Sequence, residues 1–206
     1  MSKQALQLEL LSVIQWFHAK GWAPATSANY SFRNPAPDQN TFTISRSGID
    51  KGQFTVGDFM EVDANGQALE VFRSVKPSAE TLIHSMLYEQ SSVQAVLHTH
   101  SVVNTVFSWK HRAAACVNIS GFELLKGIAG VSTHETTIQL PIYENSQDIA
   151  YLSAHIRASI HNYPGVPGLL LAGHGLYAWG SSIAEAKRHI EVFEFLLECL
   201  NQLEGR

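Results

Sequence analysis

Val93-Gln94-Ala95-Val96-Leu97-His98-Thr99-His100 is an apolar run of strand length that ends in two histidines spaced two apart. Side chains alternate faces along a strand, so both imidazoles project from one face where the strand runs out into a loop. Two such nitrogens suit a divalent ion such as zinc, which accepts neutral imidazole and keeps an open position beside three protein ligands when it is catalytic. The same pair is equally at home as surface residues at a strand end. Ser101 behind them is placed to cap a helix running to about Lys110. A buried strand passing straight into a capped helix is the unit around which the rest of the pattern is read.

Upstream, residues 3–20 carry Leu6, Leu10, Val13, Ile14 and Phe17 at helical spacing, with Gly21 placed to end the helix. Residues 22–40 read as loop. Residues 41–46 alternate like a strand, and 58–62 and 68–72 read as two more, joined by the turn signal Asn65-Gly66. Pro77 opens a helix to about Gln90. Downstream, strands at 113–119 and 137–141 flank a short helix at 121–128, and 145–162 is amphipathic. Strands at 168–172 and 176–179 enclose Gly173-His174-Gly175, and Ser182-Ile183-Ala184-Glu185 is a capping box before the last helix. The order predicts an α/β fold, a mixed sheet covered by helices in a three-layer α/β/α domain spanning residues 1–206.

Composition narrows the function classes. Net charge is −4 with no basic block, so nucleic-acid binding has no electrostatic footprint. No apolar stretch approaches the roughly 20 residues that span a bilayer, and the N-terminus lacks signal-peptide features. Cys116 and Cys199 lie far apart and form neither a disulfide nor a thiolate-metal pattern. A cytoplasmic protein with reduced thiols is expected. Charged residues are only 16% of the chain against roughly 25% in ordinary soluble domains, which fits either an oligomer or a neutral surface.

His174, between two glycines at a break between strands, can bend inward as a third nitrogen ligand or serve as an ordinary turn residue. Glu80 falls in a first helical turn, one turn before His84; the two form either a surface pair or part of a pocket. Glu123 begins a short helix, where Lys126 offers an ion-pair partner and a pocket would offer work as a general base. The loops Thr26-Ser27-Ala28-Asn29-Tyr30-Ser31 and Ser45-Arg46-Ser47-Gly48 carry hydroxyl, amide and backbone donors suited to a phosphate nest, and equally to plain turns. Arg46 and Lys51 could add positive charge there. No P-loop or dinucleotide fingerprint is present.

Taken in order, the 26–31 loop, Ser47-Gly48, Ser78-Ala79-Glu80 with His84, His98-Thr99-His100 and Gly173-His174-Gly175 resemble the class II aldolase/adducin family over nearly the whole chain. The resemblance implies a central mixed, largely antiparallel sheet and one zinc per subunit on His98, His100 and His174. It also implies a small phosphorylated ketose whose phosphate is held by Thr26, Asn29, Ser31, Ser47, Gly48 and Ser78, and a homotetramer. Residues 122–127 and 175–180 look most like the dehydratases of the family, in which the carboxylate matching Glu123 is the acid/base. In the aldolases the one matching Glu80 plays that part. Ala79 departs from the aldolase pattern, where a second serine helps hold phosphate. The reading is a zinc-dependent dehydratase in which Glu123 carries the proton transfer and Glu80 is a second acid/base or a pocket-organising group, with a sugar-phosphate aldolase or epimerase and a metal-free adducin-like interaction module as its rivals.

Overall fold

The structure is a computed structural model and describes residues 1–205. An eight-stranded sheet runs in the order β3-β2-β1-β4-β8-β7-β6-β5. The strands are β1 (Tyr30–Arg33), β2 (Thr41–Ser45), β3 (Phe59–Asp63), β4 (Ala95–Thr99), β5 (Cys116–Ile119), β6 (Ile138–Tyr143), β7 (Gly168–Leu171) and β8 (Gly175–Gly180). Every pairing is antiparallel except β6 with β7. The helices are α1 (Lys3–Ala19), α2 (Thr81–Leu87), α3 (Val102–Lys110), α4 (Ile149–Ser159) and α5 (Ile183–Glu204).

Strand alternation divides the core. Ala95 and Leu97 of β4 pack with α1, α3 and α5 on one face, while Val96 packs with α2 and α4 on the other. This is the expected three-layer α/β/α arrangement with a largely antiparallel sheet. Among the described residues no helix is long and apolar enough to cross a membrane.

Three expectations are corrected. The loop expected over 22–40 contains β1, a buried four-residue strand between β2 and β4. It is too short to show a period, and tertiary pairing decides its state. The strand expected over 68–72 is instead a single bridge at Ala68 followed by a 3-10 turn, Glu70–Phe72. The helix expected from Pro77 begins only at Thr81, and its central residues are buried on all sides.

Candidate metal centre

β4 lies between β1 and β8, and the site forms where these three strands end on the α2 side. β4 carries His98 on its last residues and His100 just beyond. β8 delivers His174 through a bend that requires glycine on both sides. Gly173 takes a φ of 65°, and a Cβ on Gly175 would stand 2.2 Å from the Thr99 carbonyl oxygen. This close approach sets the turn at His174 against the end of β4.

The Nε2 atoms of His98 and His174 are 3.4 Å apart, and those of His98 and His100 2.7 Å. In two of the three rings the other nitrogen is engaged: His98 Nδ1–H donates to the Leu176 carbonyl at 2.9 Å, and His174 Nδ1–H to Asn145 Oδ1 at 3.3 Å. Those bonds select, for His98 and His174, the tautomers whose Nε2 lone pairs face the cluster. Nitrogens bound tetrahedrally at about 2.0–2.1 Å lie about 3.4 Å apart, so the donor set fits a divalent ion once the 2.7 Å pair opens by about 0.7 Å. Burial, and then the neighbouring His100 charge, holds His98 far below the ordinary histidine range. Burial also lowers His100 to about 4. Both rings are therefore neutral at pH 7, as ligands must be.

Glu80, at the entry to α2, reaches into this cluster. Its Oε1 stands 2.9 Å from His174 Nε2 and its Oε2 3.7 Å from His98 Nε2. Tyr177 O–H donates to it at 3.0 Å, and Asn29 Nδ2 donates to it as well. Burial alone would raise this carboxyl; the hydrogen bonds from His174 and Asn29, with the His98 ring beside them, outweigh burial and hold it well below the usual range in the metal-free protein. Tyr177, raised well above 10 by burial and by Glu80, keeps its proton for that bond. Its ring stacks on His98 at 3.8 Å between centroids. His84 is no surface partner of Glu80: it is wholly buried, lowered by burial to about 3, and linked to Glu80 through the amide of Asn29.

Beside the cluster lies a polar pocket of about 140 Å³ lined by Thr26, Ser27, Asn29, Arg46, Ser47 and Ser78. Glu80 and His100 line both this pocket and a wider cleft of about 580 Å³ that includes His174, Val102 and Val106. Ala25 and Ala28 hold φ of 53° and 68°, conformations that cost a non-glycine residue about 1 kcal/mol or more and mark a loop shaped for a purpose. Arg46 Nε is buried there without a hydrogen-bond partner. Size does not distinguish the site, since a cavity of about 890 Å³ lies elsewhere beside Arg33 and Ser182; the convergent nitrogens and carboxylate do.

The structure thus brings His98, His100, His174, Glu80, Thr26, Asn29, Ser47 and Ser78 together. Ser31 is elsewhere: its hydroxyl is turned into the core, 2.7 Å from both His84 Nδ1 and Tyr88 Oη. Gly48 follows Ser47 at a φ of 77° outside the pocket lining. Glu123 is exposed and pairs with Lys126 at 2.5 Å and His134 at 3.5 Å, apart from both clefts. Sequence reasoning missed Tyr177 and Asn145. A phenol within the apolar strand 175–180 was the available signal for the first; Asn145, in a polar linker, gave none.

Comparison with known proteins bears on this geometry. The family model described as the class II aldolase and adducin N-terminal domain matches residues 8–200. A methylthioribulose-1-phosphate dehydratase from a Picosynechococcus species is 47% identical, the match covering 99% of this chain and 95% of that protein. One of the same name from Pseudomonas aeruginosa is 42% identical over 96% of this chain and 94% of its own. The crystal structure of L-fuculose-1-phosphate aldolase from Thermus thermophilus superposes with a TM-score of 0.76 at 20% identity, covering 98% of this chain and 95% of that one. A sugar-phosphate aldolase from Thermotoga maritima gives 0.69 at 16% identity, over 98% and 96%. These two establish a shared fold.

Proposed function

The chain belongs to the class II aldolase and adducin family, and on that premise we propose that it is a methylthioribulose-1-phosphate dehydratase, a lyase of methionine salvage. The reaction takes a proton from C3 of 5-methylthioribulose 1-phosphate and the hydroxyl from C4. The resulting enol then becomes the C3 ketone, giving 2,3-diketo-5-methylthiopentyl 1-phosphate and water. The observation that carries the reading is Glu80 lodged 2.9 Å from His174 among three converging imidazoles, beside a polar pocket with an unpaired guanidinium N–H.

One zinc ion per subunit, held by His98, His100 and His174, would supply Lewis-acid polarisation of the C2 ketone and so acidify the neighbouring C–H. Arg46, Ser47, Ser78, Thr26 and the 26–29 backbone take the phosphate and set the distance from it to the histidines. Glu80 accepts the C3 proton. The contact that holds this carboxyl low uses His174 Nε2, the same atom that would hold the ion, so with that nitrogen engaged Glu80 is freed from it and becomes a stronger base. Tyr177 and Asn29 aim it.

Glu123 is the second acid/base, protonating the departing hydroxyl. Its turn lies outside the cleft of its own chain, so this role calls for a neighbouring copy, in keeping with a homotetramer. Val102, Val106 and Trp109 form an exposed stripe on α3 at the cleft, a face suited to burial against that neighbour.

The test is to incubate zinc-loaded protein with 5-methylthioribulose 1-phosphate and with fuculose 1-phosphate and to identify products by mass. Water loss from the first and an intact second are expected, with activity absent from His174→Ala. Cleavage of fuculose phosphate alone would move the chain to the aldolases.

A further inference from the structure

Behind the histidines, on the opposite face of the sheet, lies a carboxylate that none of the chemistry above uses. Glu194 stands on the buried side of α5 with Ile190, Phe193 and Leu197 and is 4% exposed. Its hydrogen-bond partners are all neutral. Thr99 Oγ1 donates to Oε1 at 2.9 Å, Asn104 Nδ2 to Oε1 at 2.8 Å, and Ser101 Oγ to Oε2 at 2.6 Å. A carboxylate buried without a cation is a poor choice for stability alone, because a leucine among those apolar neighbours would avoid its desolvation cost.

The geometry gives it a different use. Thr99 stands between the two histidines of β4, and the alternation that sends them to one face sends its hydroxyl to the other, onto α5. Ser101 is the residue after His100. The two oxygens of Glu194 therefore hold the side chains on both sides of His100. Asn104 also donates to the Thr99 carbonyl at 3.3 Å, and the next residue, Thr105, donates to the His174 carbonyl at 3.1 Å. One carboxylate thus ties the end of β4 to the helix that holds the turn of β8.

We propose that Glu194 is a positioning residue of the metal centre, fixing His100 through the side chains of its two chain neighbours and His174 through α3. The inference rests on the reading of His98, His100 and His174 as metal ligands. It is tested on metal-stripped protein by measuring the zinc Kd against a chromophoric chelator, the unfolding midpoint without metal, and the visible spectrum with cobalt in place of zinc.

Glu194→Leu is expected to weaken zinc binding about 10–100-fold, the range for lost outer-shell support, and to alter the cobalt spectrum. Thr99→Val, which removes one hydroxyl at constant shape, should shift both in the same direction by less. Glu194→Gln, which retains two hydrogen-bonding atoms, should lie closest to wild type. A lowered midpoint with zinc Kd and cobalt spectrum unchanged would show a purely structural residue and overturn the proposal. Should Glu194→Leu not fold, Thr99→Val decides: wild-type affinity and spectrum overturn it. Wild-type protein that binds zinc no better than His98→Ala would instead remove the ligand assignment, and this inference with it.

Discussion

Two carboxylates of identical chemistry occupy opposite environments: Glu80 is clasped by His174, Tyr177 and Asn29, and Glu123 stands in solvent beside Lys126. Replacing either by Gln preserves shape and removes proton acceptance. Glu80→Gln is expected to stay folded and zinc-loaded and to lose about 10²-fold or more in kcat. Glu123→Gln should lose a comparable factor if it protonates the leaving hydroxyl; near-normal turnover would leave Glu80 to act alone. The phosphate pocket separates from this chemistry. Arg46→Ala and Ser78→Ala should raise KM for the phosphorylated ketose several-fold with zinc content unchanged, because both line the polar pocket and neither touches an imidazole. At this scale the sequence was most legible where chemistry is local. The His-x-His spacing and the glycines around His174 marked three imidazoles that the fold brings together. Ser31, one residue along a strand from the useful face, could not be told from its neighbours without knowing that β1 exists.

Periodicity carried the long helices: α1, α3 and α5 lie where their apolar spacing and caps predict, with Ser2, Ser101 and Ser182 each accepting a backbone N–H at the helix start. It missed β1 and could not set the bounds of α2, for one physical reason. Elements of four and seven residues that are buried on every side have no polar face, and so no period to read. The β8 turn yields a sharp test of how elements build the site. Gly175→Ala places a methyl 2.2 Å from the Thr99 carbonyl oxygen and against the His98 ring, so β4 and β8 must part. A stability loss of roughly 1–3 kcal/mol is expected, with weaker zinc binding; thermal melts and metal titration check both. Gly121→Ala, where φ is also positive but nothing lies within 4 Å, should affect stability only through its backbone and leave zinc binding untouched.

For the molecule as a whole, burial fixes a direction of acid sensitivity. His84 at about 3 and His100 at about 4 lie below their unfolded values, so each contributes stability that is complete above about 6.5 and declines as pH falls toward its folded value. Metal-free protein should therefore show a falling urea midpoint between pH 6.5 and 4, and His84→Gln a shallower fall. Assembly has its own test. If Glu123 acts in a neighbour's cleft, mixing separately inactive Glu123→Gln and His98→Ala chains before assembly should restore about a quarter of wild-type activity, the share of sites with both good halves. Activity no greater than the unmixed sum would place Glu123 outside the reaction. The separation of the ligands along the chain has a further consequence, for synthesis. His98 and His174 meet across 76 positions, and β8 is the last strand to leave the ribosome. A nascent chain halted before Gly173 carries two imidazoles of the cluster and lacks the third, so if the three hold an ion its tight capture must wait until translation has passed β8.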